Sequence, residues 1–147
     1  MIYLDNAATG GFKTSEVINT MHTVSKFLCA NPGRSGHSLS LTGAKIILGA
    51  RERLGRFFNC PEDRVVFTKN CTEALNVAIL GTIKKGGHVI TTVYEHNSVL
   101  RPLYFLKNAG LITLDVVSPK DDKSIVDVIT EKINHKTYLI VTTSVSN

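Results

Sequence analysis

The 147 residues suffice for one domain with a buried core, and 43% hydrophobic against 20% charged residues is the ordinary balance of a soluble globular protein. No run approaches the roughly 18 apolar residues of a membrane-spanning helix. The first six residues also lack the basic start and apolar run of a signal peptide, so a cytoplasmic location is expected. The net charge of +5 rests on scattered lysines and arginines without interleaved aromatic residues, which argues against a nucleic-acid partner. Three cysteines without CxxC spacing and five histidines without i, i+4 pairing argue against a disulfide framework and a metal site.

A short extended segment over residues 2–5 precedes the Gly10-Gly11 break. Val17, Met21, Val24 and Leu28 then recur at helical spacing and predict a helix over 15–29, with Thr14 or Ser15 as cap and Glu16 suiting the dipole. The turn formers Asn31-Pro32-Gly33-Arg34-Ser35-Gly36 separate it from a longer helix over 38–58. That helix has an apolar side of Leu39, Ile46, Ile47, Leu54, Phe57 and Phe58. Beyond residue 60 the pattern changes. Residues 65–68, 88–92, 111–117 and 138–143 read as short apolar strands, with helices between them over 72–83, 97–109 and 124–133. Strands apolar throughout and alternating with helices predict an α/β fold with a parallel sheet covered on both faces. Gly86-Gly87 and Gly110 stand where helices must stop, and Pro102 falls in the first turns of its helix.

The right-handed crossover rule brings the C-terminal ends of parallel strands to one sheet edge, where ligands of open α/β sheets bind. Three segments follow strand ends. In Lys69-Asn70-Cys71-Thr72-Glu73, a helix beginning near Thr72 offers free N–H groups and a hydroxyl to a phosphate; alternatively, Thr72 serves only as the helix cap. His96 can lie over an aromatic ring or move a proton, or be a solvent-facing loop histidine. Asn147 can donate a hydrogen bond to a ligand oxygen or simply form a turn. Their common edge is the physical argument for one ligand site. Neither a GxGxxG nor a GxxxxGK[ST] pattern points to a different phosphate ligand.

These residues carry a family resemblance. Tyr3-Leu4-Asp5-Asn6-Ala7-Ala8-Thr9 resembles the opening motif of cysteine desulfurases and their class V aminotransferase relatives, and the segment from Asn31 to Ser40 resembles the loop and helix start that follow it. Phe67-Thr68-Lys69-Asn70-Cys71-Thr72-Glu73-Ala74-Leu75-Asn76 is similar to the family's phosphate cradle, in which alanine is more usual at the Cys71 position. The segment from Glu95 to Leu103 resembles the one with the ring-stacking histidine, and Ser144-Val145-Ser146-Asn147 the one ending in a cofactor-contacting asparagine.

The resemblance implies the first part of a fold-type-I enzyme dependent on pyridoxal 5'-phosphate. Residues 1–60 would form an N-terminal segment with helices, and 61–147 the first part of the cofactor-binding α/β domain. By the same resemblance, Cys71 and Thr72 would bind the cofactor phosphate. His96 would stack on the pyridine ring and assist proton transfer, and Asn147 would bond the phenolic oxygen. Ala8 would lie near the substrate, and Arg34 would reach the partner subunit's site in a homodimer. The implied substrate is cysteine, converted to alanine with its sulfur left as an enzyme persulfide for a sulfur-acceptor protein. Transamination, selenocysteine cleavage and a non-catalytic phosphate-ligand module are the alternatives. The family's Schiff-base lysine, pyridine-nitrogen aspartate and sulfur-accepting cysteine are expected beyond Asn147, which leaves residues 1–147 inactive by themselves.

Overall fold

Helical spacing of the first apolar residues yields α1, Ser15–Phe27, entered through the extended backbone of Thr14. Glu16 in its first turn and Lys26 in its last both complement the helix dipole. The computed structural model describes residues 2–6, 8–28, 30–34, 36–119 and 123–144. Its contacts divide the chain into two units, Met1–Val66 and Phe67–Ser146.

In the first unit α1 is followed by α2, Ser38–Phe58, capped by His37, whose Nδ1 accepts from the Ser40 N–H at 3.3 Å. Asn59, in the left-handed region at φ 51°, ends α2, and the Cys60 N–H donates back to the Gly55 carbonyl at 2.9 Å. A single 3-10 turn, Glu62–Arg64, follows. The apolar stripes of α1 and α2 stay largely uncovered. Among the described residues α1 has no buried side chain, and the buried positions of α2 are the small residues Ser40, Gly43 and Gly55. Those positions pack against chain that lies close in sequence: the Ser40 hydroxyl donates to the Asn31 carbonyl at 2.8 Å, and Gly43 lies against Pro32.

The second unit contains α3 (Cys71–Gly81), β1 (Gly87–Thr92), α4 (Asn97–Asn108), β2 (Ile112–Val117), α5 (Ile125–Lys132) and β3 (Thr137–Val141). The three strands pair in parallel in the order β2-β1-β3. Successive residues of β1 point to opposite faces, as a strand's period of two requires. Val89 joins Ile79, Val99, Leu103 and Leu106 from α3 and α4, while Ile90 joins Val117 and Val128 of α5 on the other side. The α/β class and the parallel sheet therefore stand as the sequence predicts. The strand expected over 65–68 does not form: Val66 is 71% exposed, and the three-stranded sheet of the described residues contains no ladder for it. An apolar run becomes a strand only where a neighbouring backbone takes up its N–H and C=O groups.

α4 ends in a complete Schellman motif, with Gly110 at φ 68° donating to the Lys107 carbonyl and Leu111 to the Leu106 carbonyl. That turn aims the chain into β2. Among the described residues no helix is long and apolar enough to cross a membrane.

Candidate functional site

The start of α3 shows which residue caps it. Asn70 is the N-cap: its Oδ1 accepts from the Glu73 N–H at 2.9 Å, and Glu73 Oε2 accepts from the Lys69 N–H at 2.7 Å. The helix begins at Cys71, one residue before the start expected near Thr72, and the alternative in which Thr72 serves as its cap is corrected. Asn70 and Thr72 are both good cap formers, and Asn70 holds the extended backbone a cap needs. Bonding within the helix starts at Ala74, which donates to the Asn70 carbonyl at 3.2 Å. The N–H groups of Cys71 and Thr72 are left without an acceptor among the described residues, at the positive end of the helix dipole.

Twenty-odd residues on, His96 caps α4. Its Nδ1 accepts from the Ser98 N–H at 3.1 Å and lies 2.9 Å from the Ser98 hydroxyl. As an acceptor, Nδ1 leaves the proton of the neutral ring on Nε2, which points away from this cap. The imidazole is exposed despite being fixed at its base.

Thr72 and His96 line one cleft of about 490 Å³ between α3 and α4, together with Asn76, Ser98, Arg101 and Phe105. Thr72 and the Arg101 guanidinium in one cleft, at the N-terminal end of α3, suit an anionic phosphate, while Phe105 and Leu80 give the cleft an apolar side, and Cys71 is not among the residues that line it. The exposed Cys71 is the first residue of α3. Ala8 and Arg34 are exposed residues of the first unit, in the turn after the opening segment and in the loop between α1 and α2. Asn147 lies outside the described residues.

Two further residues shape this edge and were not singled out from the sequence. Glu95, only 8% exposed, accepts through Oε1 from the Thr92 hydroxyl and the Thr143 N–H, both at 2.7 Å. It joins the end of β1 to the chain leaving β3. Asn76 donates through Nδ2 to the carbonyls of Thr72 at 2.8 Å and Ser98 at 3.3 Å. A signal for Asn76 did exist: Pro102 cannot donate to the carbonyl four residues before it, so the Ser98 carbonyl needs another donor. Among the described residues no cluster of metal-ligating side chains is found.

The sequence model of the family described as Aminotransferase class-V matches residues 2–147. The probable cysteine desulfurase of Methanothermobacter thermautotrophicus is 34% identical, covering 99% of this chain and 36% of its own length. Cysteine desulfurase IscS of Buchnera aphidicola subsp. Schizaphis graminum is 32% identical, with 99% and 37% covered. Among solved structures, the apo cysteine desulfurase of Thermococcus onnurineus NA1 superposes with a TM-score of 0.84 at 30% identity, over 99% of this chain and 37% of that one. The chain thus spans little more than a third of the length of these relatives.

Proposed function

The chain belongs to the class-V aminotransferase family, and from that premise we propose that residues 1–147 form the N-terminal part of a pyridoxal-phosphate-dependent cysteine desulfurase. The observation that carries the proposal is the single cleft holding Thr72 and His96, with the Cys71 and Thr72 N–H groups unclaimed beside it. These residues fit the cofactor's phosphate in charge and donor number. When bound, the cofactor supplies an electron sink for substrate carbanions.

The chain's own residues have distinct tasks in this reading. Cys71 and Thr72 donate to the phosphate, with Asn70 and Glu73 holding the turn that presents them. His96, fixed through Ser98, would lie over the cofactor ring and could move a proton through Nε2. By the family resemblance Asn147 would bond the phenolic oxygen, Ala8 would border the substrate, and Arg34 would reach the site of the partner subunit. The reading includes a homodimer, a cytoplasmic location and a sulfur-acceptor protein. In balance, cysteine and an enzyme thiol give alanine and an enzyme persulfide. Among the described residues no lysine lines the cleft, and the reading assigns residues 1–147 alone binding without turnover.

Pyridoxal-phosphate titration followed by ring absorbance tests the proposal. Residues 1–147 should show saturable binding but release neither alanine nor sulfide from cysteine, whereas the full-length polypeptide should form alanine stoichiometrically with persulfide. Turnover by residues 1–147, or no saturable binding by either, would sink the reading. Amino transfer to a 2-oxo acid, or selenocysteine cleavage without cysteine cleavage, would move the full-length protein to another class V reaction. Binding of simple phosphate esters but not of the cofactor would favour a non-catalytic module.

A further inference from the structure

Pro102 lies inside α4 and has no N–H, so the Ser98 carbonyl loses the donor that a regular helix would supply from four residues on. Asn76 takes that place. Its Nδ2 donates to the Ser98 carbonyl, 22 residues away in sequence, and also to the Thr72 carbonyl in its own helix. One amide group therefore joins the first turn of α3 to the first turn of α4. Both ends matter: Thr72 carries the free N–H and hydroxyl, and the Ser98 N–H and hydroxyl hold the His96 ring. Asn76, Thr72, Ser98 and His96 all line the same cleft.

We infer that Asn76 is a positioning residue, which sets the spacing between the phosphate seat on α3 and the His96 ring on α4 by bonding the carbonyl that Pro102 leaves free. This rests on the cofactor reading above. The amide is suited to the task because its two N–H groups meet two carbonyls at once. A carboxylate of the same size would oppose both. A role limited to filling an orphan acceptor would be met equally well by a backbone donor within α4, and that difference makes the two roles separable.

The test uses the full-length polypeptide with Asn76→Ala, Pro102→Ala, both together, and Asn76→Asp. Alanine at 102 returns an N–H to the Ser98 carbonyl without any link to α3. Asn76→Ala should lower the melting temperature and weaken pyridoxal-phosphate binding about tenfold, the order expected for loss of a bridging hydrogen bond. In the double variant the melting temperature should recover, while affinity stays about tenfold weak and the visible circular dichroism of the bound ring stays reduced. Asn76→Asp should lose at least as much as Asn76→Ala. Recovery of both stability and affinity in the double variant would overturn the inference, as would unchanged affinity in Asn76→Ala. If Asn76→Ala does not fold, comparing the double variant with Pro102→Ala alone isolates the same contribution. Wild-type protein that fails to bind the cofactor would defeat the cofactor reading instead. Crystal structures would then decide: α3 and α4 farther apart in the double variant than in Pro102→Ala would uphold the spacing role, and an unchanged separation would reject it.

Discussion

Two residues apart, Asn70 and Thr72 are both plausible helix caps, and the structure gives them different work. Asn70 fixes the turn, while the Thr72 N–H is left without an acceptor among the described residues. Asn70→Ala should therefore cost about 1 kcal/mol of stability, as cap removal generally does. Thr72→Val should leave stability nearly unchanged and weaken pyridoxal phosphate by about tenfold, the scale of one hydrogen bond to a charged group. Denaturation and cofactor titration of both variants check the division of labour, which fails if Thr72→Val is the destabilising change. His96 was legible in the sequence as a strand-end histidine, but its anchorage was not. The Nδ1 bond to the Ser98 N–H makes its ring orientation part of the α4 cap. Glu95 was invisible as a joint because its partner, Thr143, lies 48 residues on.

At the scale of elements, α1 and α2 were readable from apolar spacing and turn formers, and their starts agree with the caps found. Hydrogen bonds to Glu16 from its own backbone N–H, and then from the Thr14 and Ser15 hydroxyls, hold its carboxyl below the ordinary carboxylate range. A lowered folded value contributes stability above the ordinary range that is lost as pH falls through the lowered value. The helicity of α1 should decline on acidification through that window, and Glu16→Gln should flatten the acid limb in far-UV circular dichroism. The close of α2 is less tolerant. A Cβ at Gly55 would stand 2.6 Å from the Cys60 carbonyl oxygen, a backbone atom that cannot swing aside. Gly55→Ala should cost about 1–3 kcal/mol by overpacking, measured by urea denaturation; a neutral result would mean the turn to Cys60 relaxes freely.

Over the whole molecule the uneven burial is the main physical fact. β1 is enclosed by its neighbouring strands and by helices on both faces, with Val89, Ile90 and Thr91 fully buried. By contrast, Ile18, Met21 and Phe27 on α1, Phe57 and Phe58 on α2, and Val77 and Phe105 in the second unit are exposed. That much apolar surface favours association. Residues 1–147 in isolation should show an apparent mass that rises with concentration in light scattering. A constant mass near 16.1 kDa across the range would refute this.

The sequence by itself determined the order of helices, the parallel α/β sheet, and the placing of Thr72 and His96 near helix starts. Apolar periodicity, caps and turn glycines act within a few residues, so they can be read without a fold. Only the tertiary structure decided which apolar stripes are covered, that residues 65–68 form no strand, and that Asn76 meets the Ser98 carbonyl. Burial and long-range hydrogen bonds depend on what another part of the chain brings alongside, and a local pattern states the need for a partner without naming it.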